Sequence, residues 1–289
     1  MLVRLHGSRW AGVGRRQLIA PTVIYSLLII GAVLALFPIF WMLSVAFRSN
    51  VEIFSVPPAW LPPTFTMEAF DAVLKTSQYV RMYVNSYGVS LAVSAVSLAM
   101  AILAGYGFSR FKFHGSRPLQ LFIIGTQMVP PISLVVPYFI LMVILNLYDT
   151  YWGLIVTYTA FVLPFATLMM TSYFNTIPTD LEEAAMVDGC TRVGSMIRVV
   201  LPLMLPGMVA TGVYAFLLAW NEFLYAVALT QSESLRLVPV GIALLMGEHV
   251  YQWNVMMALS ILASLPLLVM FLFLQRYLIS GLTVGAVKG

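Results

Sequence analysis

Long apolar runs alternate with short polar segments along the whole chain. Charge-free runs lie between Arg16 and Arg48, Arg81 and Arg110, Arg117 and Asp149, Asp149 and Asp180, and Arg198 and Glu222, and a sixth precedes Arg276. Each can hold a membrane-spanning helix, which needs about 20 residues. The short Leu147-Tyr148-Asp149-Thr150 segment suits a tight hairpin between the third and fourth spans. The pattern therefore predicts an all-α, polytopic integral membrane protein with six transmembrane helices. Alternation over segments of about ten residues, which a membrane barrel needs, is absent. Helices satisfy their own backbone groups in lipid, so the spans are read as helices. The first run is far longer than a signal core of about 7 to 15 residues and is read as a span.

Composition agrees. Of 289 residues, 61% are hydrophobic and only 9% charged, whereas water-soluble domains carry roughly a quarter charged residues. The positions of Lys and Arg then set orientation, because cytoplasmic loops carry the excess. With the N-terminus inside, the cytoplasmic set is Arg4, Arg9, Arg15, Arg16, Arg110, Lys112, Arg117, Arg192, Arg198, Arg276 and Lys288, against Arg48, Lys75, Arg81 and Arg236 outside. Both termini are expected in the cytoplasm of a cell with an inner membrane. The basic charge faces anionic lipid, so nucleic acid is not needed to explain it. Cys190 falls on a cytoplasmic loop and is expected to be a reduced structural thiol.

Residues 1–19 read as a basic cytoplasmic tail, 20–280 as one transmembrane domain and 281–289 as a second cytoplasmic tail. Pro21 falls in the first turn of the first span. Residues 48–82 form an external loop rich in proline and aromatic residues, with a short helix near Met67 to Lys75. The second span, about Val84 to Phe108, is rich in Ala, Ser and Gly and is expected to pack closely on its neighbours. The third span carries Gln127 and Pro130-Pro131, which interrupt the helical hydrogen bonds. Pro164 and Pro266 are read as two further breaks.

The loop at 175–203 is too polar to span. Thr179 and Glu182 have capping-box spacing, and Asp180 and Glu183 add negative charge at a helix start. Gly189 can end that helix in a left-handed conformation. A second helix is predicted from Thr191 to Leu201, with Pro202 and Pro206 marking the turn into the fifth span. Adjacent Ala184 and Ala185 leave low relief against which another protein could pack.

Glu183-Ala184-Ala185, Gly189, Val199 and Leu201-Pro202 together resemble the EAA signature of membrane subunits of binding-protein-dependent ABC importers. The ending from Gln275 to Gly289 is similar to the tail of the maltose-type, carbohydrate-uptake subgroup. The resemblance runs along nearly the whole chain. It implies that the EAA helix between spans 4 and 5 docks in a cleft on an ATPase and relays its motion, through Glu182, Glu183, Ala184, Ala185, Asp188, Gly189, Leu201 and Pro202. It also implies a second ATPase contact at Lys288 and Gly289. The chain has no G-x-x-x-x-G-K-[ST] phosphate loop, so it is expected not to be an enzyme and to bind no cofactor. ATP and Mg belong on a partner ATPase dimer. A second homologous permease subunit and an extracytoplasmic sugar-binding protein complete the implied assembly.

Trp220-Asn221-Glu222-Phe223 falls in the fifth span, where a carboxylate needs a cavity or partner. Aromatic faces and amides suit sugars, so Gln127, Trp220, Asn221 and Glu222 are substrate-pathway candidates for a di- or oligosaccharide. A sugar phosphate, polyol or other small solute is the competing cargo. An ion-coupled secondary transporter would need more intramembrane acids than Glu222 alone. A membrane enzyme would need a nucleophile or paired acids that the spans do not carry. Asn85, Ser86 and Asn146 read as helix-helix glue. His6, His114 and His249 lie in separate segments and predict no metal site.

Overall fold

A computed structural model describes residues 13–246 and 251–284. Every α- or other regular element among them is helical. Four helical stretches are long and apolar enough to cross a membrane: Val23–Ala46, Ser77–Arg110, Tyr151–Phe174 and Trp253–Gln275. Two further pairs qualify only when each is taken as one bent span. These are Ser116–Thr126 with Pro131–Ile144, bent by 97°, and Arg192–Leu203 with Leu205–Trp220, bent by 79°. Six spans result on that count.

The chain divides into two compact units, one holding the residues up to Phe70 together with Trp253–Ile261 and the other Asp71–Gln252 with the residues from Leu262 on. In the first unit, helix α1 (Val13–Ala46) exposes its apolar side chains from Val23 to Phe40, as a surface made for lipid would. Pro21 and Pro38 both lie inside this helix. Pro21 is thus not in its first turn, since the helix begins earlier than the apolar run. Beyond α1 and the one-turn α2 (Asn50–Ile53), the buried Arg48 organises a proline-rich loop. Its Nη2 donates to Ser44 Oγ and to the Ala59 carbonyl, both at 2.6 Å. Ser44 Oγ donates in turn to the Trp60 carbonyl at 2.8 Å. Phe47 stacks on Phe65 with ring centroids 4.5 Å apart.

The chain passes through α3 (Glu68–Lys75) into the second unit, whose central element is α4 (Ser77–Arg110). Helix α4 begins at Ser77, earlier than the expected start near Val84. Ser86, Ser90, Ser97, Ala101 and Gly105 recur at helical spacing on the buried face of α4. Small side chains let backbones approach, which is how helices associate where lipid removes the hydrophobic drive. At Gly105 the approach is close enough to exclude a side chain. A Cβ there would stand 2.8 Å from Cβ of Met170 and 2.9 Å from the backbone N of Thr171 on α7 (Tyr151–Phe174). On the other flank, Ser94 Oγ donates to the Gly212 carbonyl of α11 (Leu205–Trp220) at 2.7 Å.

Helices α5 (Ser116–Thr126) and α6 (Pro131–Ile144) meet at the expected break before Pro131. Pro164 and Pro266 do not break their spans. Pro164 lies inside a continuous α7, and Pro266 inside a continuous α14 (Trp253–Val284). A proline deletes one donor, and neighbouring helices in a span can tolerate that loss without unwinding. The rest of the unit comprises α8 (Asp180–Val187), α9 (Arg192–Ser195), α10 (Leu201–Leu203), α12 (Leu224–Leu229) and α13 (Val238–Leu244). One core centres on Leu154, Tyr158, Tyr225 and Leu229, and another on Tyr106, Met170, Phe174 and Val200. The second core lies under the loop that follows α7.

Candidate functional site

That loop begins where α7 ends at Phe174. Three acids, Asp180, Glu182 and Glu183, occupy the first turn of α8, where the helix dipole favours negative charge. The expected capping box does not form. Thr179 has helical backbone angles and makes no side-chain cap bond. Glu182 turns inward instead and is 5% exposed. Its carboxylate accepts from Tyr106 Oη at 2.8 Å and from Arg110 Nε at 2.5 Å. A buried carboxylate must be paired, and the guanidinium at the end of α4 supplies a stronger partner than the local backbone N–H.

Burial then divides α8 into two faces. Glu182 and Ala185 are buried, whereas Leu181, Glu183, Ala184, Val187 and Asp188 are exposed. Of the two adjacent alanines, one packs inward and one faces out. Gly189 ends the helix at φ +93°, and the next residue closes the turn through Cys190 N–H donating to the Ala185 carbonyl at 3.0 Å. Cys190 is a half-buried free thiol. Thr191 caps α9, its Oγ1 accepting from Gly194 N–H at 3.1 Å. A π turn over Met196–Val200 leads into α10, with Leu201 half-buried and Pro202 exposed. The chain bends at Met204 into α11.

A second discontinuity lies at the far end of α11. The helix stops at Trp220 and α12 starts at Leu224, leaving Asn221, Glu222 and Phe223 between them. The half-buried Glu222 carboxylate accepts from the N–H of Tyr225, at 3.0 and 3.1 Å, and from the N–H of Ala226 at 3.1 Å. It therefore caps α12, satisfying donors that a helix start leaves unpaired. Trp220 is buried, stacked on Phe216 at 5.6 Å and edge-on to Tyr87 at 4.9 Å. Asn221 is exposed and donates back to the Leu217 carbonyl at 2.8 Å. Gln127, at the break after α5, donates weakly to the Phe161 carbonyl at 3.4 Å. It lines a cavity of about 80 Å³ with Pro131, Tyr138, Phe161 and Tyr225. Tyr225 thus links Gln127 to the Glu222 cap, and Trp220 belongs to a different cluster.

Residues 97–284, about two thirds of the chain, match the family described as binding-protein-dependent transport system inner membrane component. The chain belongs to this family. It is similar to the sulfoquinovosyl glycerol transport system permease protein SmoH of Agrobacterium fabrum, at 36% identity over 88% of this chain and 89% of the relative. To the trehalose/maltose transport system permease protein MalG of Thermococcus litoralis it is 37% identical, over 91% and 96%. The diacetylchitobiose uptake system permease protein DasC of Streptomyces coelicolor is 32% identical, over 93% and 96%. Among solved structures it shares the fold of a chain from a bacterial ABC transporter involved in the import of alginate. That match has a TM-score of 0.77 and 22% identity over 93% of this chain and 99% of that one. The protein is thus a multi-pass inner-membrane permease of an ABC importer. It is the membrane subunit, not an enzyme.

Two features of this permease escaped the reading of its sequence. The first is the Tyr106–Arg110 pair that receives Glu182. Its signal was there, since residues four apart share a helix face, but nothing local pointed to a partner 72 residues away. The second is Asp149, in the left-handed region at φ +56°. Its carboxylate accepts from the N–H groups of Gln231 at 2.8 Å and Ser232 at 3.0 Å, and from Ser232 Oγ. Burial alone would raise its pKa, but these bonds outweigh burial and hold the carboxyl below the usual value. Asn85 and Ser86 do act as interhelix bonds. Asn85 Nδ2 donates to the carbonyls of Ser234 and Arg236, and Ser86 Oγ accepts from Val238 N–H. Among the described residues no cluster of His, Cys, Asp and Glu could hold a metal. Lys288 and Gly289 lie outside the described residues.

Proposed function

We propose that this permease forms half of the pathway by which a di- or oligosaccharide, handed over by an external solute-binding protein, crosses the inner membrane. A second permease subunit completes the pathway, and a separate ATPase dimer binds ATP and Mg and drives it. Similar permeases carry names that specify sulfoquinovosyl glycerol, trehalose/maltose and diacetylchitobiose, all carbohydrates or glycosides, which supports that cargo. A related solved complex contains a periplasmic protein bound to an alginate pentasaccharide, which supports delivery by a binding protein. Both termini and the loop at 175–203 face the cytoplasm in this reading, with residues 20–280 as one membrane domain between two tails.

One observation supports docking at α8 above the rest. Its outward face presents Glu183, Ala184, Val187 and Asp188, and among the described residues no hydrogen bond or ion pair engages the Glu183 or Asp188 side chains. Two unpaired acids around a flat alanine suit a basic cleft on a partner protein. Gly189, Leu201 and Pro202 shape the loop behind that face, and Lys288 with Gly289 form a second contact. Gln127, which shares a cavity with Tyr225, is the pathway residue with a cavity to offer. The test is uptake of labelled maltose and trehalose by the co-expressed complex with its binding protein, with and without Glu183→Ala. The expected result is loss of ATPase co-purification or of binding-protein-stimulated hydrolysis together with loss of uptake. Uptake that ignores both ATP and Glu183 sinks the reading.

A further inference from the structure

Helix α8 is only two turns long and sits between two short connections. One is the 175–179 linker and the other is the turn at Gly189. It packs on α9 and the π turn, where Ser195 Oγ donates to the Glu182 carbonyl at 3.4 Å, and its side chains are tied to the last turns of α4 by a second set of contacts. Glu182 pairs with Arg110 and Tyr106. Arg110 Nη2 also donates to the Ile177 carbonyl of the linker at 2.9 Å, and its Nη1 to Ser109 Oγ at 2.9 Å. Ser109 Oγ donates onward to Asn175 Oδ1 at 2.7 Å. On the far side, the Arg192 guanidinium of α9 lies over the Phe111 ring, 5.1 Å from its centroid. Both side chains of the ion pair are 7% exposed.

We infer that Arg110 and Glu182 form a clasp that makes α8 a rigid extension of α4, so that Glu182 is a positioning residue for coupling and not a docking residue. Two apolar residues of similar volume could fill this site with equal or greater stability. The ion pair adds direction. The planar guanidinium grips a carboxylate of α8 and a carbonyl of the linker at once, which a lysine ammonium on a flexible stem cannot reproduce. A push on α8 is then delivered to α4, the helix that packs on both α7 and α11, and is not absorbed by bending at residues 175–179. This rests on the reading that α8 docks on the ATPase.

The clasp is tested in the assembled complex in nanodiscs, in a Cys190→Ser background, with spin labels at Leu181→Cys on α8 and Leu103→Cys on α4, both exposed and both off the docking face. Electron–electron distance measurements are expected to give one narrow distribution that is the same without nucleotide and with bound ATP. Adding Glu182→Gln, or Arg110→Lys should the first variant fail to fold, is expected to broaden that distribution. Sugar taken up per ATP hydrolysed should fall about tenfold while the ATPase still co-purifies. A distance that changes with ATP in the otherwise native complex overturns the clasp. So does a clasp variant that keeps the narrow distribution and the native uptake per ATP, or one that releases the ATPase. If Glu183→Ala affects neither co-purification nor hydrolysis, it is the docking reading that fails, and the label distance still decides the clasp.

Discussion

Glu182 Oε1 lies 2.5 Å from Nε of Arg110, although 72 residues and two intervening helical spans of chain separate them. Both side chains are buried, so the pair is sensitive to loss of either member. Removing one partner of a buried ion pair typically costs about 3–5 kcal/mol, because the other charge is left desolvated and alone. Arg110→Ala is therefore expected to lower the thermal midpoint of the detergent-solubilised complex by several degrees. Arg110→Ala combined with Glu182→Gln should recover part of that loss, since the orphaned charge is gone.

Gly105 sets the distance between α4 and α7. Its added Cβ would meet Met170 at 2.8 Å and backbone at 2.9 Å, and backbone cannot swing aside. Overpacking of this kind costs about 1–3 kcal/mol, so Gly105→Ala is expected to reduce the yield of folded protein measurably. Gly88→Ala on the same helix meets nothing within 4 Å and should be neutral. Size-exclusion profiles of the two variants, prepared side by side, check the contrast.

Gly189 adopts a left-handed backbone that a Cβ disfavours by about 1–2 kcal/mol. A Gly189→Ala protein should remain folded, because the strain is local and exposed. The turn that aims α9 relative to α8 should shift, however, and binding-protein-stimulated ATP hydrolysis is expected to drop with little change in unstimulated hydrolysis. Gly189→Asn, a residue that tolerates this conformation better, should restore most of the difference.

Asp149 has its folded pKa depressed, so its stabilising effect is present above its unfolded value of about 3.9 and is lost as pH falls through the lower folded value. The window lies below about pH 4. Asp149→Asn is therefore expected to reduce stability at neutral pH and to flatten the acid limb of a stability-versus-pH curve. Parallel midpoints of the native and variant chains down to pH 3 would show whether the two curves converge.

The proposed reading treats Gln127 as a pathway residue, whereas Trp220 is buried against Phe216. Trp220→Ala empties a buried ring site and should cost about 3–5 kcal/mol, whereas Trp220→Phe should retain uptake with an unchanged KM. Gln127→Ala is exposed and should leave stability intact while raising KM for the transported sugar. Transport kinetics on the two variants with matched amounts of folded protein distinguish the roles.

Much of this was legible in the chain. The apolar runs determined the helical class, the places of the long apolar helices and the break at Pro130-Pro131, because a lipid solvent penalises any exposed polar backbone. The hairpin at Leu147–Thr150, the limits of α7 and the Gly189 stop followed from spacing and local conformational cost. The loop at 175–203 was recognisable as a helix-turn-helix for the same reason.

Which side chains face which way was not legible, because it depends on partners distant in sequence. The capping box between Thr179 and Glu182 was a sound local expectation, and Tyr106 with Arg110 overrode it by offering a buried carboxylate a charged partner. Trp220 and Glu222 sit two residues apart, yet one belongs to a core with Phe216 and the other caps α12. Pro164 and Pro266 read as breaks from the sequence, yet both lie inside continuous helices. Sequence by itself determined the elements, since those answer to local geometry and solvent. Tertiary structure alone decided the pairing of buried polar groups, since each must find whichever partner the packed helices bring within hydrogen-bond reach.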